Sequence, residues 1–278
     1  MNDYIPITSN EALGLFSEWW RKHPYVIRKG TYTPYRGEGL KPVSTDTKVL
    51  VPTGKRIQRY APIQKTELLN ALLDVAQERA TPVEFANRFG LLGYNYEVPR
   101  ENYCEGGDPL DWFAAQAHTV RTLAELIERL GEAKESTGGR RHLANYLKEE
   151  LTTGPYALGG RVAEISFSRS ATNPVMEATG IARYLLNANL GEVGRRLMAS
   201  GLRSIFTFRS LAQVLHWQLA DQIGQSSIHR CAECGRIFIA TNLRSRFCPP
   251  SGGKKISACK SRWNVRKFRK KQRKGMKR

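Results

Sequence analysis

"CAECGRIFIATNLRSRFCPPSGGKKISACKSRWNVRKFRKKQRKGMKR", residues 231–278, holds four of the chain's five cysteines and, after Glu233, no acidic residue. The cysteines are spaced Cys231-x2-Cys234-x13-Cys248-x10-Cys259. A Cys-x2-Cys pair puts two thiolates on one tight turn, where one tetrahedral ion takes both. Zinc suits four thiolates because it imposes no geometry of its own and has no redox chemistry. Cys231, Cys234, Cys248 and Cys259 are therefore read as ligands of one structural Zn2+. Four thiolates leave no open position for catalysis. A redox Cys-x2-Cys pair and an iron–sulfur cluster are the competing readings, and the first lacks its expected βαβ surroundings. His229 is a possible replacement ligand, but reads better as a linker residue.

Local pattern extends the motif into a small module. "GRIFIA" predicts a strand after the knuckle, and "RFC" a returning partner strand that delivers Cys248. Cys259 then opens a helix over "CKSRWNVRKFRKKQR", with Trp263 one turn on. Knuckle, hairpin and ligand-donating helix make a treble-clef-like finger. About 30 residues bury too little apolar surface to fold alone, so the metal supplies much of the stability.

The charge is concentrated in the same stretch. The chain of 278 residues has a net charge of +19. From Gly235 to Arg278 there are 16 Lys/Arg and no Asp/Glu, so residues 1–234 carry a balance of only +3. Such asymmetry points to a polyanionic partner, most often nucleic acid. Arg262, Arg266, Arg269 and Arg273 step by four, three and four along one side of the predicted helix, flanked by Lys267 and Lys270. With Arg244, Arg246 and Lys260 they form the expected nucleic-acid surface, contacting mostly phosphate. Lys254 and Lys255 could reach a neighbouring phosphate or lie in a solvated loop. Trp263 and Phe268 are expected to pack on the hairpin and orient the helix.

Upstream, the pattern predicts a mainly helical body over residues 1–226, with a sub-boundary near 101–107, and the finger and basic helix over 227–278. The fold class expected is mostly α with minor β. Thr8 and Glu11 have capping-box spacing, predicting a first helix with Leu13, Phe16 and Trp20 on its inner face. Lys48–Val51 and Arg56–Tyr60 read as strands, and "QKTELLNALLDVAQER" as a helix. "TPVEFANRFG" combines a Thr81 cap, Pro82 at N1, Glu84 at N3 and a terminating Gly90. Asp108-Pro109 is read as opening a long helix to about Leu130, with Phe113, Ala117, Val120, Ala124 and Ile127 on one face. "RRHLANYLKEEL" predicts a helix, "TTGPYALGG" a turn-rich connector, "RVAEISFSRS" a strand, and Asn173-Pro174 the start of a helix towards Asn189. The last apolar helix falls within 208–224, and "QSSIHR" links it to the cysteines.

The module resembles the CGNR-type zinc finger of bacterial proteins. The matching residues are Cys231, Cys234, Gly235, Phe238, Arg244, Arg246, Cys248, Cys259 and Arg262, and the helix "SLAQVLHWQLADQIG" resembles the one that leads into such fingers. The resemblance covers about residues 208–278 and implies a DNA-binding finger in a transcription regulator. This chain reads "CKSR" for Cys-Gly-Asn-Arg, and "PPSGGKKISA" widens the preceding gap. A contact from the family's Asn is therefore not carried over.

The expected function is a cytoplasmic, DNA-binding transcription regulator whose helical body dimerises or senses a small-molecule effector. An RNA- or ribosome-binding protein is the alternative, and a helical RNase of a defence or toxin system a further one. No enzyme is expected. Arg209 and His216 have only a loose Arg-x6-His spacing, His118 and His142 read as structural, and Cys104 as a lone thiol in a polar loop, open to oxidation. The start, "MNDYIPITSN", has neither the basic nor the apolar stretch of a signal peptide, and no apolar run is long enough to span a membrane.

Overall fold

The computed structural model describes residues 5–10, 13–16, 19–32, 34, 45–62, 65, 67–99, 102–151, 154–167, 173–191, 193–197, 204–223, 227–240, 242, 244–250 and 256–275. Of residues 5–10, 13–16, 20, 194–197, 204–207, 271 and 273–275 it describes the backbone alone. About half of the described residues are helical, with some sheet. In chain order the elements are β1 (Ile5–Asn10), β2 (Leu13–Phe16), β3 (Trp19–Lys22), β4 (Tyr25–Tyr32), β5 (Thr45–Pro52), β6 (Ile57–Tyr60), α1 (Glu67–Ala76), α2 (Pro82–Phe89), α3 (Tyr94–Glu97) and β7 (Asp108–Pro109). The 26-residue α4 (Leu110–Glu135) and then α5 (Thr137–Asn145) follow, the latter running into a π-helical turn at Tyr146–Glu150. The chain continues through β8 (Gly154–Leu158), β9 (Arg161–Ile165), α6 (Pro174–Leu190), β10 (Gly194–Leu197), β11 (Ser204–Phe208), α7 (Leu211–Asp221), β12 (Ile228–Arg230), β13 (Ile237–Ile239) and α8 (Ala258–Gly275).

Helix α4, about 39 Å long at 1.5 Å per residue, is the spine. Phe113, Ala117, Val120 and Ala124 are buried along it as the 3.6-residue period requires, with Ile127 partly buried at the end of the stripe. α1, α5, α6 and α7 pack around it, and β8 and β12 lie against it. Its polar residues are used as well. Thr119 Oγ1 accepts from the Ala157 N–H at 2.9 Å, and the Trp112 indole N–H donates to the Gly159 carbonyl at 2.9 Å. Asn189 of α6 accepts from the Gly159 N–H and donates to the Ala157 carbonyl. These bonds seat the β8–β9 hairpin on the helices without stranding its backbone groups.

Residues 154–158 thus form a strand where a connector was expected. β8 and β9 pair from Leu158↔Arg161 outward, so the turn is Gly159-Gly160, with Gly159 at φ +60°. That is a two-residue hairpin of the kind glycine permits.

The expected first helix is replaced by strands. β1 pairs with β2 on one side and β11 on the other, and β10 extends the sheet. Glu11 lies outside the described residues. Pairing with a segment some 200 residues away overrides a local helix pattern.

Both predicted strands of residues 45–60 are present and do not pair with each other: β5 pairs with β4 and β7, and β6 with β3. The capping box of α2 is complete, Thr81 and Glu84 exchanging bonds while Gly90 ends the helix at φ 88°. Asn173 likewise caps α6.

Asp108 does not open α4. Its backbone pairs with Leu50, and its buried carboxylate accepts from the N–H groups of Leu92, Gly93 and Tyr94 at 2.6, 3.1 and 2.8 Å, at the start of α3. Burial pushes its pKa up to about 6, against the pull of those three N–H groups.

Candidate metal centre and basic helix

The site begins at the end of β12. From Arg230 the chain enters a tight turn, closed by the Cys231 N–H to the Arg236 carbonyl at 2.8 Å and the Gly235 N–H to the Cys231 carbonyl at 2.9 Å. Gly235 sits at φ +71°, a left-handed conformation that side chains rarely adopt, so the glycine after the knuckle has a backbone reason. β13 then returns antiparallel to β12, with Ile228↔Ile239 and Arg230↔Ile237. The partner strand therefore precedes the knuckle, where a return over 246–248 was expected. "RFC" is held otherwise: the Arg246 carbonyl accepts from the Ala232 N–H at 2.9 Å, which lays Cys248 beside the turn. Ser257 caps α8, its Oγ accepting from the Lys260 N–H at 3.1 Å, and Cys259 enters the cluster from the first turn.

The four sulfur atoms lie within 4.8 Å of one another, and Cys234 and Cys248 are 3.5 Å apart. All four are free thiols. Tetrahedral ligands about 2.3 Å from an ion sit about 3.8 Å from each other, so this set can hold a metal ion. Burial disfavours a thiolate at Cys231, but the N–H groups of Cys234, Glu233 and Cys248 outweigh it and bring the pKa down to about 7. Cys248 is pushed the other way, by burial and by the adjacent sulfurs. Such a crowd of sulfurs carries full charge only around a cation. Two arginines lean on it from outside: Arg262 Nη2 is 3.5 Å from Cys259 Sγ, and Arg79 Nη1 is 3.9 Å from Cys248 Sγ. His229 lies in β12, its ring near Phe238, and is not part of the cluster.

A small apolar layer of Cys231, Phe238, Ala240, Cys248 and Cys259 surrounds the sulfurs. Trp263 packs against Phe247 with the ring centroids 5.5 Å apart and the planes tilted by 55°, and Lys267 lies 4.8 Å over the Trp263 ring. Trp263 thus packs against the segment that carries Cys248 rather than on the β12–β13 hairpin. Phe268, expected to pack there as well, is 62% exposed.

Sequence reasoning missed what ties this unit to the helices. Asn70 and Gln77, seven residues apart on the α1 side, each pair with one residue of β13. Asn70 exchanges two bonds with Ile239, and Gln77 two with Ile237. Ile228 and Ile237 belong to the main core, and Arg230 pairs with Glu128 of α4 at 3.1 Å. No local spacing signals these contacts.

Arg244, Arg246, Lys260, Arg262, Arg266, Lys267, Arg269 and Lys270 are all exposed. Arg266 pairs with Glu233 of the knuckle, and Arg262 lies 4.0 Å from the same carboxylate. These two arginines therefore brace α8 against the knuckle. Among the described residues, Lys260, Lys267, Arg269 and Lys270 have no ion-pair partner. The side chain of Arg273, and Lys254 and Lys255, lie outside the described residues.

The remaining singled-out residues sit apart. His216 is fully buried, its Nδ1 2.9 Å from the Ala212 carbonyl, and desolvation lowers its pKa to about 4. His118 packs against Tyr156, ring centroids 4.8 Å apart and planes tilted by 59°, whereas His142 is exposed. Cys104, expected in an open loop, is fully buried. Its backbone is bonded twice to the Asn95 side chain, and burial raises its pKa to about 12. Such a thiol is a poor target for oxidation. No helix among the described residues is long and apolar enough to cross a membrane.

Comparison with known proteins returned no matching family model, no similar curated protein and no similar solved structure.

Proposed function

We propose that the chain is a nucleic-acid-binding protein in which Cys231, Cys234, Cys248 and Cys259 hold one structural Zn2+ and α8 lies along a phosphate backbone. The observation that carries this reading is the position of the four thiols at the base of an 18-residue helix that has no acidic residue. In this reading the module is treble-clef-like: a knuckle, a short strand, and a helix that donates the last ligand. Zinc is favoured over other ions by the all-thiolate donor set. It would supply only structure, since four thiolates close its coordination.

Duplex DNA is the preferred partner. An Arg/Lys helix on a rigid base fits a groove and its flanking phosphates, and the resemblance to CGNR-type fingers points to a transcription regulator in the cytoplasm. Lys267, Arg269 and Lys270 are, with Lys260, the cations of α8 available for phosphate, while Arg262 and Arg266 first hold the helix in place. The helical body would then dimerise or sense an effector. Exposed Phe268 favours one second reading, a single-stranded or structured RNA on which an aromatic ring stacks.

The test is a fluorescence titration of the intact, zinc-loaded chain with labelled duplex DNA and with a structured RNA, at two salt concentrations, repeated with Lys267, Arg269 and Lys270 all changed to Gln. Tighter duplex binding, with a salt slope that falls by about three in the variant, supports the reading. Affinity for both partners that the triple change leaves intact would overturn it. Deleting 227–278 is a poorer test, because Ile228 and Ile237 are part of the main core.

A further inference from the structure

The body's near-neutral charge conceals a basic groove. It lies where the β3–β6 ribbon meets the end of α2 and the start of α1. Two adjoining cavities, of about 220 and 380 Å³, share Arg21 and Gln58. Arg59, Lys65 and Arg88 line the first, and Arg56 and His23 the second. Glu67 is the acidic residue among them. Five Arg/Lys side chains from four segments, spread from residue 21 to residue 88, thus converge on one concave surface.

The groove has a fixed floor. Arg21 is half-buried; its Nε donates to Gln58 at 2.8 Å and its Nη1 to the Asn87 carbonyl at 3.2 Å, with a further bond to the Arg88 carbonyl. The Arg88 guanidinium lies over the Phe89 ring at 4.8 Å. Arg56 and Lys65 are exposed and have no ion-pair partner among the described residues. Held cations below and exposed ones at the rim suit a chain of phosphates more than a single compact anion.

The groove also connects to the finger. Asp74 of α1 is surrounded by Arg79, Arg236 and Arg88: burial raises its pKa, and the three guanidiniums pull it back down. Arg88 lines the groove, Arg236 follows the knuckle, and Arg79 touches Cys248 Sγ. Asp74, ion-paired with Arg79 at 3.0 Å, thus feels the charge of one arginine of the groove, one that follows the knuckle and one that lies against Cys248. Glu67, which opens α1 at the groove, and Gln77, which follows α1 and pairs with Ile237, are ten residues apart. That is about 15 Å of helix, the span of four to five base steps at 3.4 Å.

We infer that the groove between the β3–β6 ribbon and α2 is a second phosphate-backbone site, occupied by the same nucleic acid that α8 holds. This rests on the nucleic-acid reading of the finger, and the experiment separates the two. Arg56→Gln/Lys65→Gln is compared with the wild type and with the α8 triple variant, all as full-length zinc-loaded chains, in anisotropy titrations of a 20-base-pair duplex from 50 to 200 mM salt. Thermal melts check that the groove variant folds. The expected result is a salt slope lower by about two and roughly tenfold weaker binding at 100 mM salt for the groove variant. If the α8 variant loses affinity and the groove variant does not, the second site is overturned and the finger reading stands. If the groove variant alone loses affinity, the groove is a phosphate site and the finger reading falls. If neither does, both fall. A groove variant that keeps duplex binding but loses binding to phosphatidylserine vesicles also overturns the inference, since the groove would then serve a membrane surface.

Discussion

The carboxamide of Asn70 in α1 pairs with both backbone groups of Ile239 in β13, donating at 2.9 Å and accepting at 2.8 Å. A side chain thereby takes the place of a neighbouring strand, and Gln77 repeats the arrangement at Ile237. The edge of a very short strand is closed, and the turn that carries Cys231 and Cys234 is held against the helices. Asn70→Ala leaves two part-buried backbone groups without partners, a loss of about 1–3 kcal/mol. Urea denaturation should show that loss, and metal should leave the variant faster in a chelator competition. Unchanged stability and release would mean that the cluster supports itself.

Cys248 is a ligand candidate, whereas Cys104 is buried and is not a member of the cluster. Cys248→Ser should bring bound metal from one ion per chain to near zero and lower the melting temperature. Cys104→Ser should leave metal content unchanged. Mass spectrometry of the native protein reads both, and equal metal content in the two variants would refute the assignment of ligands.

Glu97 gives a pH signature. Its Oε1 is buried without a hydrogen-bond partner, and desolvation raises its pKa from 4.5 to about 7, against the pull of Ser210, Arg209 and Gln213. Between these values the unfolded chain ionises more readily than the folded one. Its contribution to stability is full below about pH 4.5 and is lost as pH rises through 7, by up to about 1.4 kcal/mol per unit. Glu97→Gln should flatten that part of the stability curve, measured by urea unfolding from pH 4 to 8. A variant curve parallel to the wild type would show that Glu97 does not titrate in this window.

Phe268 decides between the two nucleic-acid readings. At 62% exposure it contributes little to packing, so Phe268→Ala should leave the melting temperature unchanged. If duplex DNA is the partner, duplex affinity should change less than twofold. A stacked base would be lost with the ring at a cost of about 1–3 kcal/mol, so a drop of tenfold or more with RNA alone would favour the RNA reading.

The cysteine cluster was legible because ligand spacing is local information, and so was α2, whose capping box lies within ten residues. The stripe of α4 was legible for the same reason. The strands at Ile5–Asn10 and Leu13–Phe16 were not, because their partner β11 lies near the other end of the chain. The β8–β9 hairpin carried its own signal, Gly159-Gly160 between two apolar runs, which reads equally as a loop until Asn189 and Thr119 are seen to fix it. The role of β12 escaped because three residues, Ile228–Arg230, carry too short a pattern to register. The basic groove escaped because its cations are scattered from Arg21 to Arg88 and cancel against distant acids in a charge count.

The central claim is that a metal-held base presents α8 to nucleic acid. Its most direct test is the affinity of the full chain for a labelled DNA duplex before zinc removal, after removal with a chelator, and after adding one equivalent back. The account predicts one zinc per chain, at least a tenfold loss of affinity on removal, and recovery on reconstitution. Metal-free protein that binds the duplex as tightly as the loaded protein would contradict it.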